Sequence, residues 1–181
     1  MSSSRIAIAC SLFAGNLLAQ PAAQPLVIIL DASAAMSQNL GAARRIDVAR
    51  KAVRQAIGEF PGNVALGVVV FGHRTGSCGD FEVLEDVHAA SKGRAERLGR
   101  RLGALNPHGQ CLPSRTLLES LRVLQGKSGR LLLIAAGGDN CGGNPCTVAE
   151  TLRQSAAPIR ADVVALGAQA SSLACVSRSL G

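Results

Sequence analysis

Short apolar runs alternate with amphipathic stretches along most of this chain, and that alternation limits its fold more than any other feature. Residues 26–30 and 64–71 are continuous apolar runs, typical of strands covered on both faces. Between them, residues 44–60 place apolar side chains at helical spacing, and Pro61-Gly62-Asn63 ends the pattern. The sequence therefore predicts a doubly wound, mainly parallel sheet with helices on both faces, a three-layer α/β/α architecture.

The same alternation continues to the end of the chain. Further strands are predicted over residues 81–87, 131–135 and 159–166, the first of them at a sheet edge because it carries acids. Further helices are predicted over residues 95–105, 116–125, 147–156 and 171–180, with Thr116 and Thr147 as caps. Ligands of such folds bind beyond the carboxyl ends of the strands, so the loops there are the candidate functional region.

Composition excludes several classes of protein. A hydrophobic share of 48% rules out wholesale disorder. With no Trp, no Tyr and four Phe, the chain lacks the rings that stack on single-stranded nucleic acid. No apolar run reaches the roughly 18 residues that cross a bilayer. The net charge is +7, and ten basic residues lie within 44–54 and 92–101. They indicate two solvated helix faces or, alternatively, attraction to an acidic partner or an anionic surface.

The amino-terminal residues are typical of a secretion signal. Arg5 precedes a short apolar stretch over residues 6–18, and Ala19 provides a small residue for cleavage. We predict a signal peptide over 1–19, a short linker over 20–25 and one domain over 26–181, exported to the periplasm or beyond. The alternatives are a disordered start and a retained anchor.

Cysteines in an exported chain predict disulfides. Cleavage after residue 19 would leave five of them: Cys78, Cys111, Cys141, Cys146 and Cys175. Five is odd, so at least one thiol stays free or pairs between chains. The connectivity stays open, although the four residues between Cys141 and Cys146 are flexible enough for a structural bridge.

Five blocks in the predicted loops and the closing helix stand in a recognisable order. Residues 28–36 read Ile-Ile-Leu-Asp-Ala-Ser-Ala-Ala-Met, and the others lie at 71–82, 106–109, 139–146 and 173–181. The first resembles the opening of a von Willebrand factor type A domain, where a buried strand runs into Asp-x-Ser-x-Ser and Met. The others are similar to a bacterial, often exported, branch of that family. The resemblance spans residues 25–181 and implies the family's α/β fold.

The resemblance also implies a metal-ion-dependent adhesion site, in which Mg²⁺ or Mn²⁺ is held by oxygen ligands and a partner's carboxylate. Asp31 and Ser33 match the first two ligands. The other three positions depart from the pattern: Ala35 replaces a Ser, Ala136 replaces an Asp, and Cys111 falls on a Thr unless Thr116 aligns there instead. Asp139 and Asp80 lie in neighbouring loops and could substitute. Since Mg²⁺ prefers about six oxygens, we expect weak metal binding at most.

Without a metal, the carboxylate of Asp31 is expected to accept hydrogen bonds from nearby backbone amides and Ser33. Arg74 is expected to pair with Asp80 or Glu82, as part of loop structure. The expected function is non-catalytic recognition of an unidentified protein, without a cofactor. The rim of the degenerate site would be formed by Asp31, Ser33, Ala35, Cys111, Ala136 and Asp139.

Two alternatives remain open. One is a metal-dependent adhesion module that still uses Mg²⁺ or Mn²⁺. The other is a thiol enzyme in which Cys111 is the nucleophile and His108 and His73 serve it, which requires a base within hydrogen-bond reach.

Overall fold

A computed structural model of the chain describes residues 23–181. The predicted signal peptide and the first residues of the predicted linker lie outside this range. The strands are β1 Leu26–Asp31, β2 Asn39–Leu40, β3 Ala43–Arg44, β4 Leu66–Phe71, β5 Phe81–His88, β6 Gly129–Ala135 and β7 Ile159–Ala165. The helices are α1 Arg45–Glu59, α2 Arg94–Gly103, α3 Pro113–Val123, α4 Pro145–Arg153 and α5 Ala174–Leu180.

Five of the strands form one sheet in the order β5-β4-β1-β6-β7, and β2 and β3 form a separate hairpin. The pairs β1–β4, β1–β6 and β6–β7 are parallel, and β5 pairs antiparallel with β4 at one edge. The apolar runs over 26–30 and 64–71 become central strands, and the acid-bearing run becomes an edge strand. The predicted α/β fold is confirmed.

Helices cover both faces of this sheet, and alternate strand residues face opposite layers. Val27 and Ile29 belong to the core shared with α3, α4 and α5, whereas Ile28 and Leu30 belong to the core shared with α1 and α2. All four side chains are almost completely buried. Burying each contributes roughly 1.5–3 kcal/mol, so β1 anchors both layers at once.

The coverage is uneven at β7. Ile159 and Ala161 are buried beneath the layer that contains α5, but Arg160, Asp162 and Val164, on the other face, are all exposed. The layer formed by α1 and α2 therefore leaves one edge of the sheet bare.

Two of the predicted helix caps are wrong. Thr116 lies inside α3, where its hydroxyl donates to the Leu112 carbonyl over 2.9 Å. Thr147 lies inside α4, which is capped by Asn144: its side chain accepts from the amides of Cys146 and Thr147. Both helices begin with a proline, which suits the first turn because its missing N–H has no helical partner there.

The prediction of two solvated basic faces needs correction at two residues. Arg50 is buried and its guanidinium donates to the Leu105 carbonyl. Arg94 is also buried, and it donates to the His88 carbonyl over 3.1 Å. These hydrogen bonds link α1 to the segment after α2, and α2 to the end of β5. Within the described residues, no helix is long and apolar enough to cross a membrane.

Candidate functional site

The candidate site lies at the carboxyl end of the sheet, where the chain leaves β1, β4 and β6. Asp31 ends β1, and a 3₁₀ helix over Ala34–Ser37 follows it. The Ala34 amide donates to the Gly109 carbonyl over 2.9 Å, and the Gly109 amide donates to the Gly72 carbonyl over 2.9 Å. These bonds bring the loops after β1, β4 and α2 together.

This close approach requires glycine at position 72. Gly72 has φ +76°, a left-handed conformation that residues with a Cβ rarely adopt. A Cβ there would lie 2.6 Å from the Gln110 carbonyl oxygen and 2.8 Å from the Cα of Ser33. Any side chain at position 72 would therefore push apart the loops that build the site.

Asp31 occupies the centre of the site and is fully buried. Its Oδ1 accepts from the Ser33 amide over 2.7 Å, and its Oδ2 accepts from the Ala136 amide over 3.0 Å. The predicted backbone hydrogen bonds are thus present. Burial raises the pKa of Asp31 above its ordinary value, and these hydrogen bonds oppose that shift only in part. The carboxylate ties β1 to the end of β6.

Cys111 stands next to this carboxylate. Its thiol is free and buried, with Sγ 3.6 Å from Oδ2 of Asp31 and 3.5 Å from the Gly137 carbonyl oxygen. Burial raises the pKa of Cys111, and the charge of Asp31 raises it further, so the sulfur keeps its proton at neutral pH. Thr116, in contrast, is held inside α3. Of the two alignments, the structure brings Cys111 to Asp31.

The remaining predicted positions offer little to a metal. The Ser33 hydroxyl is buried and has no hydrogen-bond partner among residues 23–181. A Cβ built on Gly137 would lie 3.5 Å from Sγ of Cys111 and 3.8 Å from the Ala35 methyl group, so a thiol and a methyl group line this space. Ala136 contributes its amide to Asp31 but has no side-chain oxygen.

These donors do not fit Mg²⁺ or Mn²⁺, which take oxygen ligands in octahedral array. The site offers one carboxylate, one hydroxyl and the sulfur of Cys111, a softer ligand than these ions prefer. The described residues contain no cluster of three or more His, Cys, Asp or Glu side chains that could hold a metal.

The two acids that could have substituted as ligands brace their own loops. Asp139 accepts from the amides of Ser114, Cys141 and Gly143 over 2.9–3.0 Å. Burial alone would raise the pKa of Asp139, but these hydrogen bonds outweigh it and the pKa lies below its ordinary value.

Asp80 plays the same part in the loop after β4. It accepts from the amides of Arg74 and Thr75 over 2.7 and 2.8 Å. The predicted pairing of Arg74 is also present, since its Nε lies 3.3 Å from Asp80 and 3.8 Å from Glu82.

The two histidines of the thiol-enzyme alternative have other partners. His73 Nε2 lies 3.0 Å from Oε2 of Glu82, and Nδ1 of the exposed His108 lies 2.8 Å from the Asn106 carbonyl oxygen. Within the described residues, neither ring forms a hydrogen bond with Cys111. Neither histidine is therefore placed to act as the base for this buried thiol.

Two disulfides secure the loops and helices around the site. Cys78–Cys141 joins the loop after β4 to the loop after β6, and Cys146–Cys175 joins α4 to α5. The bridge between Cys141 and Cys146 that their spacing allowed does not form, because each cysteine pairs elsewhere. Cys111 is the odd thiol that the count predicted.

Sequence reasoning missed some of the contacts that position Cys111. The Asn140 side chain accepts from the Cys111 amide over 2.8 Å, and the Asn140 amide donates to the Cys111 carbonyl over 3.0 Å. The Asn144-Pro145 pair could have revealed the start of α4, because Asn followed by Pro is a common cap pattern. No local signal pointed to Asn140, whose partner is 29 residues away.

Several solved protein structures are similar to this one. No protein-family model matches the chain. The von Willebrand factor type A protein of Catenulispora acidiphila superposes with a TM-score of 0.66 at 18% identity, over 88% of this chain and 37% of that one. This chain has the von Willebrand factor type A fold. The von Willebrand-type architecture expected from the loop blocks is thereby confirmed.

Other solved structures share the fold. The PilB minor pilin from Streptococcus sanguinis has a TM-score of 0.66 at 13% identity, over 90% of this chain and 56% of that one. Proximal thread matrix protein 1 of the mussel byssus, solved with a zinc-occupied MIDAS motif, has a TM-score of 0.60 at 18% identity, over 86% and 39%.

One curated relative also matches in sequence. The uncharacterized protein YwmD of Bacillus subtilis (strain 168) is 27% identical over 143 residues, which are 72% of this chain and 62% of YwmD. This chain thus spans less than two thirds of that relative and between about a third and three fifths of the solved proteins above.

Proposed function

We propose that this von Willebrand-type domain is an exported, non-catalytic recognition module that binds a protein partner through its strand-end loops without a metal ion. One observation carries the proposal. The Asp31 carboxylate, which the resemblance assigns to a metal, accepts the amides of Ser33 and Ala136 and lies beside the Cys111 thiol. The Ala136 contact ties the end of β1 to the end of β6, so the carboxylate has a structural role that needs no metal.

The partner would touch exposed side chains around the site, because Asp31, Ser33 and Ala136 are buried. We define the exposed rim as Ala34, Leu40, Arg74, His108 and Asn140. Its large apolar side chain, Leu40, is 44% exposed at the tip of the β2–β3 hairpin.

The loops that carry the exposed rim are held in place by a disulfide and by hydrogen bonds before a partner binds. Cys78–Cys141 ties two of its loops together, and Asp80 and Asp139 brace them with backbone hydrogen bonds. Ordering flexible loops on binding costs free energy, so a pinned rim binds with less of that loss. This preorganisation supports recognition through shape rather than through a metal.

The similar proteins support a setting outside the cytoplasm. They include a minor pilin and a matrix protein of the mussel byssus. The two disulfides are typical of exported proteins as well. We therefore propose that residues 1–19 direct export, and that the domain acts in the periplasm or at the cell exterior.

Retention of a partner on immobilised, oxidised protein tests this function. The wild-type domain should retain a partner from the exported fraction of its source organism equally in EDTA and in Mg²⁺. Leu40→Glu should abolish retention, because it places a charge on the rim. Leu118→Glu is the matched control, since Leu118 is also 44% exposed but lies on α3. Retention that requires Mg²⁺, or that survives Leu40→Glu, would contradict the proposal.

A further inference from the structure

The five-stranded sheet ends at β5 on one side and at β7 on the other, and these two edges differ. The pairing of β5 with β4 shifts its register twice, whereas β7 pairs with β6 over seven consecutive positions without a shift. β5 also carries three acids and no lysine or arginine: Glu82, Glu85 and Asp86. Bulges and like charges keep a sheet edge from pairing with another strand. β7 is regular, and its two charges, Arg160 and Asp162, have opposite signs.

The backbone of β7 has hydrogen-bonding groups that point away from the sheet. The Pro158 carbonyl accepts from the Gly129 amide over 3.2 Å, so Pro158 faces β6. The Leu166 amide donates to the Ala135 carbonyl over 2.8 Å, so Leu166 faces β6 as well. Alternate residues of an edge strand direct their amides and carbonyls outward. In β7 these are the odd-numbered residues, Ile159, Ala161, Val163 and Ala165. Within residues 23–181, β6 is the only strand that pairs with β7.

Arg160 lacks a carboxylate in its own copy of the chain. Its side chain is exposed and forms no salt bridge within residues 23–181. Its register neighbour on β6 is Arg130, which lies 2.8 Å from the carboxylate of Asp162. Two arginines thus share one acid on this face of the sheet. A second carboxylate opposite Arg160 would therefore be favourable.

We propose that the β7 strands of two copies of this chain pair antiparallel about a two-fold axis and join the two sheets into one. Residues with outward backbone groups must then meet each other, which limits the possible registers. With Ala161 opposite itself, Arg160 lies opposite Asp162 of the second copy, and the same contact repeats across the axis. Moving the axis by one residue would oppose Arg160 to Arg160 or Asp162 to Asp162. Like charges directly opposite destabilise a strand pair, so the charges select one register.

The other cross-strand pairs of this register are compatible. Ile159 lies opposite Val163 of the second copy, and Pro158 lies opposite Val164, whose side chain is 43% exposed in a single copy. Pro158 has no N–H, but it faces β6 through its carbonyl, so the new pairing requires no donor from it. The charged pairs occupy the positions without backbone hydrogen bonds, where the side chains of paired strands come closest.

This pairing would give the two copies opposite directions. β7 runs parallel to β6, and β6 and β4 run parallel to β1. Antiparallel pairing of β7 therefore turns the strand-end loops of the two copies to opposite ends of the joined sheet. The dimer would present two exposed rims that face away from each other and would link two partner molecules. That consequence rests on the proposed function, whereas the pairing itself does not.

Sedimentation velocity of the oxidised protein up to about 1 mM tests the pairing. A single strand pair is a small interface, so wild type should dimerise with a dissociation constant of roughly 0.1 mM. It should form no larger species, because the contact uses the β7 edge of both copies. Arg160→Asp and Asp162→Arg each oppose like charges and should weaken the dimer about tenfold or more. Glu96→Arg, the matched charge change at an exposed position of α2, should leave it unchanged.

Mixing the two charge variants tests the register itself. An Arg160→Asp copy and an Asp162→Arg copy place two pairs of opposite charges across the axis. The mixture should therefore dimerise at concentrations where neither variant does so alone. Val163→Pro tests the backbone, because it removes an outward amide without changing the charge and should also abolish the dimer. Thermal unfolding verifies that each variant is folded.

Three outcomes would overturn the inference. These are a monomeric wild type at about 1 mM, a dimer that survives Arg160→Asp or a folded Val163→Pro, and a mixture that stays monomeric. Leu40→Glu should leave the dimer intact, because Leu40 lies on the rim. A failure of the pairing therefore leaves the proposed function to its own test.

Discussion

The loops after β1 and β6 are each built around one aspartate, yet the two acids are held in opposite ways. Asp31 lies inside the sheet core, where burial raises its pKa in spite of two backbone hydrogen bonds. Asp139 lies nearer to solvent, where three backbone amides lower its pKa. Asp31 therefore joins the ends of two strands inside the core, whereas Asp139 braces a loop near the surface.

Removing the disulfide that holds the loop after β6 should cause the largest loss of stability. Cys78 and Cys141 are 63 residues apart, and closing a loop of that length restricts the unfolded chain by about 4 kcal/mol. The double variant Cys78→Ser/Cys141→Ser should lose about that much free energy of unfolding in urea titrations. The pair Cys146→Ser/Cys175→Ser closes a shorter loop and should lose less. A larger loss of stability for Cys146→Ser/Cys175→Ser would show that the Cys78–Cys141 disulfide is not the stronger restraint.

The next largest effect is expected from asparagine substitution, which should destabilise the fold more at Asp139 than at Asp31. Asp139→Asn removes charge-assisted hydrogen bonds from a surface loop and should cost about 2 kcal/mol at pH 7. Asp31→Asn also disturbs two amides, but it removes a charge that burial penalises, so its cost should be smaller. Chemical denaturation of both variants measures the difference. An equal or larger loss for Asp31→Asn would mean that its carboxylate stabilises the fold in its charged form.

The pH dependence should then differ in sign between the two variants. The pKa of Asp139 lies below its ordinary value of 3.8, so its contribution is present above about pH 4 and is lost as the pH falls through its folded pKa. The pKa of Asp31 is raised, so folding is favoured while it is protonated and that contribution is lost as the pH rises through its folded pKa.

Unfolding free energies measured from pH 3 to 7 test those signs. Relative to wild type, Asp139→Asn should become less stable as the pH rises through the acid range. Asp31→Asn should become more stable relative to wild type above about pH 4. Parallel profiles for the two variants would remove the distinction between the two loops.

The smallest loss of stability is expected at Asn140, which forms two hydrogen bonds with the backbone of Cys111. Cys111 faces Asp31 with its thiol and Asn140 with its backbone. Asn140→Ala should cost about 1 kcal/mol, because one side-chain hydrogen bond is lost at an exposed position. Cys111 should nevertheless stay unreactive toward iodoacetamide in both proteins under native conditions. Rapid alkylation of the wild-type thiol would show that it is not sealed beside Asp31.

Much of the fold could be predicted because its signals are local. The short apolar run over residues 26–30 is typical of a buried strand, and the acids of β5 pointed to an edge. Even the bare face of β7 has a local signal, because polar Arg160 and Asp162 alternate with apolar residues.

The site could be predicted less well, because its contacts join distant parts of the chain. The Asp31 carboxylate accepts an amide 105 residues away, and its thiol neighbour is 80 residues away. The disulfide partners could not be read from spacing: Cys141 lies five positions from Cys146 in sequence but bonds to Cys78. Loop packing decided these contacts, and it leaves no periodic pattern.

Metal-free recognition is tested by thermal unfolding in EDTA and in excess Mg²⁺, with wild type compared with Ala35→Ser/Cys111→Thr/Ala136→Asp. The triple variant restores the three missing oxygen ligands. At a hundred times its dissociation constant, Mg²⁺ should stabilise that variant by about 2.7 kcal/mol, or roughly 5–10 °C. The unfolding temperature of the wild-type domain should be the same in EDTA and in Mg²⁺. A similar rise in the wild-type domain, abolished by Asp31→Ala, would contradict metal-free recognition.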